Sequence, residues 1–292
     1  MRASVFGSAV MAVAFGASFH LACALMTDLD ELSGKPNAGA DAGGAPPSEA
    51  GAGVDAARSP DADAAPSSSY AAEVLSDAPV AYYRFEDSPD AETAKDEVGE
   101  HTASVVTKSA KGVVFGVPGA RGTAVSLDGM SSFDVGDVFD FAGKVPFTVE
   151  VWVKPKAKES YGNLIQKLTE TSFDGYRLGL SDGEPSFTAN RSGVAGPDQR
   201  VSLGAGSEAP LPLEFTHLVV TVVYKFQRGN ATLYVNGVAS PIGGYDSPGD
   251  LPDTSAHLLL GNLFEGALDE VAIYDKALSP ERIRAHYEAG KP

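Results

Sequence analysis

Phe264-Glu-Gly-Ala-Leu-Asp-Glu-Val-Ala-Ile-Tyr-Asp-Lys-Ala-Leu-Ser-Pro-Glu-Arg-Ile-Arg-Ala-His-Tyr287 is the stretch that decides the fold. It reads as a short strand, a turn and a capped helix. Leu268, Val271 and Ile273 are apolar and lie among carboxylates. Asp269 and Glu270 sit inside the strand, where bare charges are disfavoured. In a regular strand two adjacent side chains point to opposite faces, so this pair is not expected to act together. Ser279-Pro280-Glu281 is a helix start, with Ser as N-cap, Pro at the first helical position and Glu in the first turn. Ile283, His286 and Tyr287 then fall three and four apart, on one helical face.

Working outward, strand patterns recur back to residue 79. Pro79–Glu86 alternates, with Tyr83 and Phe85 set against Tyr82 and Arg84. Gly122–Gly129 ends in an Asp-Gly turn, and Ala231–Gly237 ends in an Asn-Gly hairpin turn. Pro146–Lys154 alternates cleanly: Phe147, Val149, Val151 and Val153 on one face, Thr148, Glu150, Trp152 and Lys154 on the other. Asn163–Leu168, Gly175–Leu180, Thr216–Tyr224 and His257–Asn262 complete the series. Many short strands with turns between them, and no long helix before residue 280, indicate an all-β antiparallel two-sheet sandwich with a short C-terminal helix.

Six of these segments occur in the order used by one known family: Ala81–Asp87, Ala124–Gly129, Phe147–Pro155, Thr216–Thr221, Leu233–Gly237 and Gly266–Tyr274. The chain resembles the LamG-like (laminin G type) jelly rolls of the concanavalin A-like lectin/glucanase superfamily. Tyr83 and Phe215 stand where that family commonly has Trp. The resemblance implies a binding module with a glycan or extracellular protein partner, and a structural calcium. Asp269 is the calcium ligand carried over from the family. Glu86 and Asp87, in the loop after the first strand, are its expected partners, because first and last strands of the fold lie close together. The competing expectation is that Asp269 bonds backbone amides of that loop without metal. Binding in such domains usually resides in rim loops, here Ser186–Pro210 and Gly243–Ser255.

Catalytic patterns are absent from the sequence. Glycosidases of this fold carry E-x-D-x-x-E on one strand, which aligns three carboxylates on one face. No such run occurs, and Glu150 has no in-strand partner. There is no G-x-S-x-G elbow and no H-E-x-x-H. The expectation is therefore a non-enzyme. The alternatives are a glycoside hydrolase or polysaccharide lyase with an atypical site, and a structural surface protein without soluble ligand. Glu150 and Trp152 form the ligand face on pattern, an aromatic beside polar groups that suits a sugar ring. Its competitor is a Trp152 covered by Arg84 or Tyr274.

The 292 residues are 43% hydrophobic and carry a formal net charge of -17. That sign repels phosphate backbones and argues against nucleic acid. Residues 1–24 have a basic start, an apolar run too short for a membrane span, and small residues before Cys23, as in an export signal. Cys23 is the one cysteine of the chain, so no internal disulfide exists. Leu21-Ala22-Cys23 resembles a bacterial lipobox, in which the Cys is acylated. His20 and Leu21 depart from that pattern, and Ala22-Cys23-Ala24 also fits an ordinary cleavage site. Residues 25–69 are rich in Ala, Gly, Pro, Ser and Asp, too poor in apolar surface to order, and read as a flexible spacer. Residues 70–290 are the folded domain. The expectation is an exported monomer, held at the cell envelope by a lipid on Cys23, with a secreted or periplasmic soluble form as the alternative.

Overall fold

The structure is a computed structural model that describes residues 69–106, 109, 112–190, 200–204, 210–225, 228–240 and 250–292. For 200–204, 225 and 228–230 it describes the backbone alone. Residues 1–68, with Cys23 and nearly all of the expected spacer, lie outside the described residues, as do large parts of the two rim loops. All described residues belong to one compact unit, Pro60–Pro292.

In chain order the elements are α1 (Tyr70–Ser76), β1 (Ala81–Tyr83), β2 (Thr93–Ala94), β3 (Ala103–Val106), β4 (Val113–Pro118), β5 (Thr123–Asp128), β6 (Ser132–Gly136), β7 (Phe147–Pro155) and β8 (Gly162–Leu168). They continue with β9 (Gly175–Ser181), β10 (Glu184–Asn190), β11 (Arg200–Gly204), β12 (Thr216–Lys225), β13 (Arg228–Val235), β14 (Val238–Ala239), β15 (Leu258–Asn262), β16 (Glu265–Tyr274) and α2 (Pro280–Gly290). One sheet runs β14-β13-β12-β7-β16-β5-β4, with β1 also paired to β16. The second runs β11-β10-β9-β8-β15-β6-β3-β2. All pairings are antiparallel, as the turn-rich sequence requires.

The core lies between the sheets. Phe147, Val149, Val151 and Val153 of β7 enter it with Leu218 and Val220 of β12. They meet Phe133, Leu164, Tyr176, Leu178 and Phe187 from the second sheet. Phe141 stacks on Phe147 with centroids 4.5 Å apart. Each such fully buried side chain contributes roughly 1.5–3 kcal/mol of transfer free energy.

The opposite face of β7 departs from its polar pattern. Thr148, Glu150 and Trp152 are also fully buried. A second apolar layer covers them, built from Tyr70 and Val74 of α1, Leu278 before α2, and Ile283 of α2. Helix α2 starts as the sequence predicts: the Arg282 N–H donates to Ser279 Oγ at 3.4 Å, and Pro280 opens the first turn. Helix α1 is an addition to the sequence reading, which had no helix near residue 70. Ser69 caps it, accepting from the Ala72 N–H at 3.3 Å. The strand read over Pro79–Glu86 is confined to Ala81–Tyr83, because Phe85 takes a left-handed φ of 54°. Strand β16 carries a bulge. Asp269 pairs with Trp152 and Ala272 with Glu150, so Glu270 and Val271 share one partner position, and Glu270 has φ 51°. A bulge re-aims the side chains beside it.

Candidate functional site

Three polar groupings have distinct fates. The first surrounds Glu150 on the helix-covered face of the first sheet. His217 Nε2 of β12 lies 2.7 Å from Glu150 Oε1, and His286 Nδ1 of α2 lies 3.0 Å from Oε2. The Tyr70 hydroxyl donates to Oε1 at 2.7 Å and the Tyr274 hydroxyl to Oε2 at 3.0 Å. His286 Nε2 reaches Asp77 at 2.9 Å. Arg282 of α2 bonds Asp77 and Glu73, which locks the two helices together. Burial works to raise the Glu150 carboxyl; the charge of His286 and the bonds from both histidines outweigh it and hold the group well below the carboxylate range. Burial likewise opposes charge on His286, and Glu150 and Asp77 overcome it, raising its pKa.

The expected ligand face therefore needs correction. Glu150 and Trp152 are at 0% exposure. Trp152 stacks on His217 at 4.9 Å and on Tyr287 at 6.0 Å, with Tyr70 edge-on at 6.2 Å. Its cover is α1 and α2, with Tyr274 in the same buried cluster and Arg84 outside it. Glu150 ties the helices to the sheet and does not reach a ligand.

The second grouping is acidic. The bulge in β16 turns Asp269 and Glu270 to the same outer side, against the expectation that they face apart. Both are fully buried. Glu270 accepts from the Tyr82 hydroxyl and pairs with Arg84 Nε at 3.4 Å. Asp269 Oδ2 accepts the Arg121 N–H at 3.1 Å. The amides that hold Asp269 thus come from the β4–β5 turn and not from the loop after β1. Glu86 joins the group, accepting from Thr123 N–H at 3.2 Å and from its hydroxyl at 2.9 Å. Asp87 does not: it turns back to the Lys95 N–H at 3.1 Å. Glycine is required in the turn. A methyl at Gly119 would sit 2.5 Å from Asp269 Oδ2, and one at Gly122, with φ 58°, would strike the Glu86 carboxylate.

The fit of a cation here rests on Asp269. Its Oδ1 is buried with no partner. Burial, and then the charge of Glu270, push its pKa up to about 9. Burial raises Glu270 to about 7 even though Tyr82 and Arg84 oppose the shift. A positive ion beside Oδ1 would relieve this repulsion. Among the described residues no three of His, Cys, Asp or Glu converge as a metal-binding group. The remaining ligands would have to be backbone or solvent oxygens, which calcium accepts.

The third grouping is the outer face of the second sheet, which no helix covers among the described residues. Leu259 of β15 pairs with Asp134 of β6 and Gln166 of β8; Gln166 pairs with Arg177 of β9, and Arg177 with Thr188 of β10. Side-chain amides cross-link this row. Asn163 and Asn262 both donate to Gln166 Oε1, the latter at 3.2 Å, and Arg177 Nη1 donates to Asn163 Oδ1 at 3.4 Å. His257 Nδ1 lies 2.9 Å from both oxygens of Asp134. Two recesses open on the face. One, of about 550 Å³, is lined by Asp134, Gln166, Leu168, Glu170, His257 and Asn262. The other, of about 310 Å³, is lined by Leu168, Phe173, Arg177, Thr188 and Asn190. Asn190 Oδ1 is buried in the second without a partner. A further recess of about 420 Å³ lies on the first sheet, lined by Asp128, Lys154, Lys156 and Glu265. There Lys156 pairs with Glu265, and Asp128 accepts the N–H groups of Met130 and Ser131.

Sequence reading missed this third face. Asn163, Gln166 and Arg177 are ordinary outward positions of alternating strands, and only the sheet order brings them into one row.

No curated protein matches the chain. Among solved structures, domain 4 of AbnA, a GH43 extracellular arabinanase from Geobacillus stearothermophilus in complex with arabinotriose, superposes with TM-score 0.51 at 20% identity. The match covers 71% of this chain and 97% of that domain. Trypanosoma rangeli sialidase matches with TM-score 0.50 at 15% identity, over 72% of this chain and 32% of the sialidase. The receptor binding domain of botulinum neurotoxin D matches with TM-score 0.52 at 16% identity, over 73% of this chain and 53% of that domain. The chain thus spans about a third of the sialidase and about half of the toxin domain. At these identities the likeness is one of fold. The Laminin_G_3 family model covers residues 127–284, more than half of the chain, which therefore belongs to this family of the concanavalin A-like lectin/glucanases superfamily.

Proposed function

We propose that this chain is a non-catalytic glycan-binding module whose ligand lies on the outer face of the second sheet. The observation that carries the reading is the amide row, Asn163, Gln166 and Asn262 with Arg177, beside an exposed aromatic, Phe173. Amides offer donors and acceptors to hydroxyls, and a ring offers a stacking face. The fully buried Glu150 and Glu270 offer nothing to a glycan. The arabinotriose complex of the AbnA domain makes arabino-oligosaccharides the first probes. In calorimetry with a panel of neutral polysaccharides, Gln166→Ala and Arg177→Ala are each expected to weaken binding by about tenfold, or ~1.4 kcal/mol. Binding that both variants leave unchanged would reject this face.

Calcium belongs to the same proposal as a structural ion, held by Asp269 with Glu86, and not by Asp87. Its signature follows from the carboxyl shifts. Their folded pKa values lie above the ordinary range, so between about pH 4 and 9 the folded protein holds protons that the unfolded chain has lost. Without metal, stability then falls as pH rises through that window. A cation replaces those protons, so calcium should raise Tm clearly near pH 8 and little near pH 5. Asp269→Asn should abolish the response, and a Tm unmoved by calcium or chelator at the higher pH would exclude the ion.

Export and acylation at Cys23 complete the proposal; they rest on residues 1–24 of the sequence. Palmitate labelling of the wild type, lost in Cys23→Ser, is the expected result, and unlabelled soluble protein would reject the anchor.

A further inference from the structure

We infer that the ligand is an extended, uncharged oligosaccharide lying across the strands of the second sheet, and not a single terminal sugar. The inference rests on the glycan-binding reading above and adds the shape and charge of the ligand.

The two recesses on this face meet at Leu168 of β8, which lines both, and we take them as one groove. The groove crosses β6, β15, β8, β9 and β10, which are consecutive neighbours in the sheet. Four inter-strand gaps at about 4.8 Å give a span of roughly 19 Å. That is far longer than one sugar ring and needs several linked rings to fill it. The two ends differ. At one, Phe173 is 58% exposed and held at a left-handed φ of 56°. A bulky residue is disfavoured in that conformation, where Gly or Asn would be relaxed, and a ring kept there in water points to contact with a ligand. At the other end stands the His257–Asp134 pair, 54% and 30% exposed, with the middle floor supplied by Gln166.

Charge selects against acidic sugars. Asp134 and Glu170 both line the groove, and the chain as a whole carries a net charge of -17. Uronates and sialylated chains therefore meet repulsion at the Asp134 and Glu170 end of the groove.

The test is calorimetry with linear arabino- and cello-oligosaccharides of one to six units, beside oligogalacturonates of equal length. The better-bound neutral series is expected to gain at least tenfold in affinity from monosaccharide to hexasaccharide. Phe173→Ala and His257→Ala, both at exposed positions, should each lower hexasaccharide affinity several-fold. The two losses should combine in the double variant. Equal affinity for one unit and six, or oligogalacturonates that bind as tightly as the neutral series, would overturn the inference while leaving a glycan-binding face in place. Hexasaccharide binding that neither these variants nor Gln166→Ala alters, or no binding in either series, would remove both readings.

Discussion

Glu150→Ala is expected to destabilise the domain by roughly 3–5 kcal/mol, a drop in Tm on the order of 10 °C. The size follows from what the carboxylate does. It is the common partner of His217, His286, Tyr70 and Tyr274, drawn from β12, α2, α1 and β16. Removal leaves two buried histidines and two buried hydroxyls without their acceptor, in a space water does not reach. Glu150→Gln keeps the shape and one acceptor oxygen, and should lose about half as much. Denaturant melts distinguish the two variants.

The same network fixes a pH window. The Glu150 carboxyl is depressed, so its contribution is present above the ordinary carboxylate range and is lost as pH falls below it. The pKa of His286 is raised, so its contribution is present below the ordinary histidine value and disappears as pH climbs through the raised one. The groups facing them are Asp77, Glu73 and Arg282 at the helix pair and Tyr82 and Glu270 on the sheet side. The helix-to-sheet contact is therefore strongest between those limits. In Glu150→Gln the alkaline loss attributed to His286 should shrink, which a pH series of melts reads directly.

Lys167→Ala is the second large effect, expected at about 2–4 kcal/mol. Lys167 points inward from β8 and is 1% exposed. Its ammonium lies 2.7 Å from Asp137 and 3.3 Å from Asp140 and donates to the Ala256 carbonyl. Asp140 in turn accepts the N–H and hydroxyl of Thr254, at 2.9 and 3.1 Å. The lysine thus acts as an internal cation that pins the loop between residues 250 and 257 to the end of the sandwich. Asp137 is half-exposed, so water softens the loss, and the lower part of the range applies if that side chain swings out. Because His257 sits at the end of the pinned loop, the variant should also weaken glycan binding at the acidic end of the groove. Lys167→Met separates packing from charge: it restores the volume and should recover part of the stability without recovering the loop.

The sequence is most legible where a single strand carries the information. The β7 alternation names the core face correctly, and Ser279-Pro280 marks the start of α2 to the residue. The same alternation misleads on the other face. Thr148, Glu150 and Trp152 read as solvent-facing because nothing local says that α1 and α2 will cover them. Helix α1 is seven residues long and adjoins a low-complexity segment, too short for a helical period to register. Asp269 and Glu270 were separable on paper by the two-residue period of a strand. The bulge that joins them is set by pairing with β7, a property of two strands at once. The glycan face is the extreme case. Its row draws on β6, β15, β8, β9 and β10, strands scattered from residue 132 to residue 262, and no one of them carries a signature alone.

The most direct measurement is a crystal structure of the domain with the neutral hexasaccharide that binds best. The account predicts sugar rings crossing β6 to β10 over Gln166, with one ring stacked on Phe173 and hydroxyls at the amide row. Ordered sugar on the first sheet, or at a rim away from Leu168, would contradict it.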